Sequence, residues 1–221
     1  MFNRNNTENK MAEYQTEQEN FWAGIFGTEY IQRNDSQELL ASNLSFFSRT
    51  LSKTRNLTSC VELGANIGMN LRAIKLLYPN IELNAVEINK DAARELGNFI
   101  GDNAVFTGSI FDYPIEKQSD IVLVKGVLIH INPDKLEATY RKIYDSSRHN
   151  ILICEYYNPS PVAIPYRGHS DRLFKRDFAG EMLDMFTDLT LVDYGFVYHR
   201  DPAFPQDDIN WFLMQKREIN A

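Results

Sequence analysis

From Ser36 onward, Leu39, Leu40, Leu44, Phe46, Phe47 and Leu51 recur at helical spacing, with Asp35 or Ser36 placed to cap a helix. Short apolar runs then alternate with amphipathic stretches. The expected strands are SCVELG (59–64), IELNAVEI (81–88), AVFTGSI (104–110), DIVLVKG (120–126) and NILICEYY (150–157), with helices over 67–77, 89–100, 133–147 and 175–187. Such alternation predicts right-handed βαβ units and a mostly parallel sheet with helices on both faces. The unbroken runs IVLV and ILIC suit central strands covered on both sides. LTLVDYGFVYH and INWFLMQKR are separated by RDPAFPQDD. That link is too short for a crossover helix, so they form an antiparallel hairpin that completes seven strands.

Polar residues dominate positions 1–20, which read as a flexible tail. Next comes NFWAGIFGTEYIQRN (20–34), which places Phe21, Trp22, Phe26 and Tyr30 around Gly24 and Gly27. The organisation expected is a tail over 1–20, an N-terminal lid with helices over 21–52, and an α/β domain over 53–221.

The chain has 221 residues, 43% of them hydrophobic and 24% charged, with a net charge of −7. This is a globular composition. The acidic balance disfavours nucleic acid as a partner and favours a small-molecule substrate. No apolar run approaches the ~18 residues of a membrane span, and the opening lacks the apolar centre of a secretory signal, so a cytoplasmic location is expected. Cys60 and Cys154 lie inside apolar runs, without metal-ligand spacing or a disulfide framework, and read as core residues.

The stretch VELGANIGMN (61–70) follows a strand and opens a helix. Its glycines permit a tight turn and close approach of backbone to a ligand, and the helix start offers unpaired N–H groups. Glu87 ends the second strand 23 residues after Gly64. An acidic side chain at about that distance grips ribose hydroxyls in nucleotide-binding folds. The pattern E-x-G-x-N-x-G differs from the G-x-G-x-x-G of dinucleotide sites, because Glu62 would repel a pyrophosphate and attract a cation.

At these residues the sequence resembles class I S-adenosylmethionine-dependent methyltransferases, which implies their Rossmann-like fold over about 36–217 and S-adenosyl-L-methionine as cofactor. The resemblance implies that Gly64, Ala65, Asn66 and Gly68 hold the methionyl part and that Glu62 faces its ammonium. It gives Glu87 the ribose and Ile88 the adenine face. The third motif corresponds to GSIFD (108–112); Ser109 stands where an acidic residue is usual, leaving Ser109, Ile110 and Asp112 as candidates at the adenine. By the same resemblance, Lys125 and Gly126 would line the sulfur. Trp22 and Tyr30 would wall the sulfonium through their ring faces, with Arg33 on the donor carboxylate. FWAGIFGTEYIQRN, EYYNP, PYRGHSDRLFKRDFAGEML and DDINWFLMQKR are similar to the methyltransferase group associated with pseudaminic acid biosynthesis. This implies a sugar-type acceptor.

A parallel sheet holds its ligand beyond the strands' carboxyl ends. His130, Glu155 and Tyr156 fall there as catalytic candidates, with His130 or Glu155 to take the acceptor proton. His199, Asp201, Asp207 and Asp208 share the terminal hairpin loop. The long insertion 158–177 carries Arg167, His169, Arg172, Lys175 and Arg176, a candidate clamp for an acceptor carboxylate or phosphate. A non-catalytic donor-binding partner or sensor of a sugar pathway is the alternative, since fold alone does not give function.

Overall fold

Apolar runs that continue without a polar break take the centre of the sheet. The computed structural model describes residues 14–31, 36–166 and 169–217. Helices α1 (Glu17–Ala23), α2 (Ile25–Ile31) and α3 (Gln37–Thr50) precede β1 (Ser59–Leu63). Then follow α4 (Met69–Leu77), β2 (Glu82–Glu87), α5 (Lys90–Ile100), β3 (Val105–Thr107), β4 (Ser119–Lys125), α6 (Leu136–Ser146) and β5 (Ser147–Glu155). A two-stranded unit, β6 (Val162–Tyr166) and β7 (His169–Lys175), leads into α7 (Phe178–Met185), and β8 (Leu189–Val197) and β9 (Ile209–Lys216) close the chain.

The main sheet has seven strands in the order β3-β2-β1-β4-β5-β9-β8. The first five are mutually parallel, and β9 runs antiparallel to both β5 and β8. Every residue of β1 is buried, as is the length of β4 up to Val124. Cys60 faces a layer with Phe47, Leu71, Ile74 and Trp211, whereas Val61 and Leu63 face one with Tyr140, Ile143, Phe178 and Met182. Helices therefore cover both faces, and both cysteines are free and buried in the core. Among the described residues no helix is long and apolar enough to cross a membrane.

Three departures from the sequence expectation matter for the site. Strand β3 stops at Thr107 because Ser109 accepts a hydrogen bond from the Phe111 amide (3.1 Å) and turns the chain into a short 3-10 segment. The stretch read as a long loop before α7 contains the β6–β7 hairpin, from which Ile164, Tyr166 and Leu173 pack onto the core. Regular structure also begins before the aromatic stretch. Thr16 closes a capping box with Glu19, its hydroxyl accepting from the Glu19 amide (3.1 Å) and its own amide donating to Glu19 Oε2 (2.9 Å).

Candidate active site

The strand order reverses between β1 and β4, and a cavity of about 780 Å³ opens at the carboxyl ends on either side of that point. This is where an open α/β sheet leaves a crevice between loops that diverge to opposite faces. The volume lies in the upper part of the range for small-ligand sites, leaving room for two ligands.

The floor is the turn after β1. Gly64 (φ +81°) and Asn66 (φ +50°) both adopt left-handed backbone, and the amides of Gly64 and Ala65 donate to the Val86 carbonyl (2.8 and 3.1 Å). Glu87 stitches this turn to the next one: Oε2 accepts from the Asn66 amide (2.6 Å) and Oε1 from the Asn89 amide (2.7 Å). Burial raises its carboxyl pKa while these amides act to lower it. The Ile88 amide also bears on this carboxylate, whose four lone-pair sites still leave capacity for a ligand. Glu62 lies below the turn, fully buried and off the cavity surface. Asn70 Nδ2 holds its Oε1 (2.6 Å), and Oε2 has no protein partner. Burial pushes its pKa up to about 8. Gly68, expected to hold the same ligand part, does not line the cavity; its missing side chain makes room for Leu96 of α5.

Ile88, Ser109 and Ile110 line the next part of the wall, and Lys125 and Gly126 the part after β4. Asp112 does not join them, because the 3-10 turn leaves it exposed. In its place stands Glu19 of α1, buried and hydrogen-bonded to the Ser109 hydroxyl. The sequence signal for it was Thr16-x-x-Glu19 ahead of an apolar run, a helix start inside what read as a tail.

The aromatic stretch forms the roof. Gly24 ends α1, and the Asn89 side-chain amide reaches the carbonyls of Trp22 (3.4 Å) and Gly24 (3.3 Å) and the Thr28 hydroxyl (3.1 Å). Asn89 also caps α5, so one side chain joins the roof to the loop that carries Glu87. Trp22 packs against His130 (4.6 Å between ring centroids) and Tyr30 (5.4 Å), and all three line the cavity. Gly27 serves close packing: a Cβ there would stand 1.9 Å from the Trp22 carbonyl oxygen and 2.9 Å from Asn89 Nδ2. Gly27→Ala is therefore expected to free the roof, since overpacking costs about 1–3 kcal/mol. Limited proteolysis within 14–31 should quicken at least about tenfold while the melting temperature of the α/β body stays within a few degrees.

Of the catalytic candidates, His130 and Tyr156 line the cavity and Glu155 does not. Glu155 is buried, and its Oε1 accepts from the Val127 and Leu128 amides (2.8 Å each). It anchors the turn that presents His130, and burial pushes its pKa up to about 8. The Tyr156 phenol is held protonated, by burial first, then by the charge of Asp207 and its hydrogen bond to that carboxylate. On the hairpin loop, Gln206 Nε2 donates to Asn43 Oδ1 (3.0 Å) and ties the loop to α3. Arg176 falls short of the proposed clamp: its Nε pairs with Glu181 of α7 (2.5 Å) and it lies off the cavity. Arg33 and Arg167 lie outside the described residues; His169 and Arg172 sit on β7, with side chains outside the description.

No protein-family model and no curated protein matches the sequence. Solved structures match the fold. The 1,6-didemethyltoxoflavin-N1-methyltransferase of Burkholderia thailandensis, with bound 1,6-didemethyltoxoflavin and S-adenosylhomocysteine, superposes with a TM-score of 0.65 at 17% identity, covering 91% of this chain and 87% of that one. The magnesium protoporphyrin IX methyltransferase of Synechocystis PCC 6803, with bound SAH, gives 0.64 at 11% identity over 90% of this chain and 98% of that one. The mitomycin 7-O-methyltransferase MmcR gives 0.61 at 13% identity over 87% of this chain, which spans only 57% of that larger protein. The architecture is that of the Rossmann-like class I methyltransferases, a seven-stranded, mostly parallel sheet ending in an antiparallel hairpin.

Proposed function

We propose that this chain is an S-adenosylmethionine-dependent methyltransferase that methylates an oxygen or nitrogen of a small acceptor. The observation that carries the reading is the left-handed Gly64–Asn66 turn above Glu62, whose Oε2 is buried without a protein partner. Off the cavity surface, this carboxyl would act on a ligand ammonium from beneath the backbone cradle, through a water or across the turn, and the cation would favour its ionised form. The cradle fits the methionyl group, Glu87 the ribose, and Ile88 with Ile110 the faces of the base. Trp22 and Tyr30 offer π-faces to a sulfonium. Two fold neighbours hold S-adenosylhomocysteine, the demethylated form of the donor, which supports the same donor here.

The bound sulfonium supplies a methyl group already activated toward nucleophiles. What remains for the protein is alignment and the exclusion of water. The aromatic roof shuts out solvent, Lys125 and Gly126 flank the reacting centre, and His130 takes the acceptor's proton. Tyr156 keeps its own proton and holds Asp207 at the rim. For the acceptor we favour a sugar of the nonulosonic class. Its ring would lie against Tyr30, Tyr156 and Tyr166. The resemblance in the aromatic stretch and the hairpin supports this choice.

The test is incubation with isotopically labelled donor and a panel of neutral and acidic sugars, read by mass spectrometry for one added methyl group. Turnover with at least one acidic sugar is expected; neutral sugars methylated equally well would remove the anionic feature, and donor binding without turnover across the panel would overturn the enzymatic reading. His130→Ala should lower turnover more than about tenfold, roughly 1.4 kcal/mol of barrier, with donor affinity changed less than about threefold.

A further inference from the structure

Ser109 follows β3, between Gly108 and Ile110, and lines the cavity together with Ile88. Its hydroxyl has no proton left for a ligand. Oγ donates to Glu19 Oε1 and accepts from the Phe111 amide. The polar group that meets the cavity here belongs to Glu19, which is 7% exposed and lines it. Glu19 Oε2 accepts from both the amide and the hydroxyl of Thr16 (2.9 Å each). Among the described residues Oε1 has Ser109 alone, which leaves one lone-pair site on that oxygen.

Resting on the donor reading above, we infer that Glu19 recognises the 6-amino group of the donor's adenine and that Ser109 is the positioning residue that aims it. Ile88, Ala92 and Ile110 make the slot for the base apolar. The base edge must therefore find its polar partner at the rim, where Glu19 stands. A carboxylate held by three donors can only accept from the ligand. An amino group at position 6 satisfies it, whereas an oxo group would set its own lone pairs against the carboxylate in a water-poor site.

The contact also has a consequence for order. The residue that reads the base arrives on α1, and the Asn89 bonds to the carbonyls of residues 22–24 dock the same helix beside Glu87. Base recognition and roof closure thus use one element. Donor binding should order it, and loosening it should weaken discrimination among bases.

Calorimetry with S-adenosylhomocysteine and its 6-oxo counterpart, S-inosylhomocysteine, tests the assignment on the full chain. The wild type should prefer the amino compound at least about tenfold, as sites built for a specific hydrogen bond do. Glu19→Gln offers an N–H as well as a carbonyl and should compress that preference to within about threefold. If that variant disturbs the helix cap, Ser109→Ala leaves the carboxylate but removes its anchor, and should still cut the preference by at least about threefold. Retention of the wild-type ratio in both variants would overturn the inference, because a purely structural role weakens the two ligands alike. A wild type that binds both equally overturns it and leaves the donor reading standing; one that binds neither overturns both.

Discussion

Gly64→Ala should abolish high-affinity donor binding, lowering it at least about thirtyfold, and reduce the melting temperature by on the order of 10 °C. Two effects combine. The left-handed φ of +81° costs an L-residue about 1–2 kcal/mol. The added Cβ would also stand 2.5 Å from Val127 Cγ2, a branched side chain close to the backbone with no long arm to swing aside, which adds about 1–3 kcal/mol. At about 2–4 °C per kcal/mol for a chain of this size, the sum gives the predicted shift. The damage is not confined to one turn, because Val127 lies next to Gly126 on the opposite wall. Relief of the overlap would push the β1 and β4 loops apart at the point where the cavity floor is made. Val127→Ala in the Gly64→Ala background should restore part of the stability, the steric part, and leave the backbone part uncorrected. Wild-type donor affinity in Gly64→Ala would mean that the turn is not the donor cradle.

What the sequence made legible follows from the range of the interactions involved. The succession of strands along the chain, the burial of the IVLV and ILIC runs and the antiparallel finish are local patterns, so periodicity revealed them. The Gly64 turn and Glu87 were legible for the same reason: a tight turn needs its glycine, and the acid must follow at the length of one βαβ step. Trp22 and Tyr30 stood out because aromatic residues outside any core pattern need a partner. They found it in His130 and in each other.

The residues that were misread act across the fold. Glu19 sits in a polar run that looks solvated until α1 packs against Ser109, 90 positions away. Asn89 fell at the start of the helix expected over 89–100, and its bonds toward residues 22–28 appear only when the roof is in place. Arg176 counted toward a basic cluster, but Glu181 lies one helical turn into α7 and takes it. The β6–β7 hairpin was obscured by Pro165 and by the charges of 167–177, which look like loop composition although Ile164, Tyr166 and Leu173 keep an inward face.

Glu155 gives the sharpest contrast between the two ways of reading an acid at a strand end, and its expected behaviour separates them. Glu155→Ala leaves the Val127 and Leu128 amides without their acceptor; at about 1–3 kcal/mol for each unsatisfied buried group, the loss is about 2–6 kcal/mol. Turnover should fall at least about tenfold as well, because the same turn presents His130. Glu155→Gln should lose little of either. With its pKa pushed up to about 8, the native side chain is largely neutral at pH 7, and the glutamine carbonyl can accept the same two amides. The pH dependence carries the same signature. Glu155 and Glu62 both have folded pKa values raised to about 8 from the usual carboxyl value of 4.5. Between those values the folded chain keeps protons that the unfolded chain has released. Their contribution is thus fully present below about pH 4.5 and is lost as pH rises through 8. The ligand-free protein should lose melting temperature progressively from pH 5 to 8. Glu155→Gln should show a shallower decline, with one proton fewer in the balance. If Glu155→Gln instead keeps the wild-type melting curve at every pH yet stops turnover as completely as Glu155→Ala, then the carboxyl itself moves the acceptor's proton and its grip on the two amides is incidental.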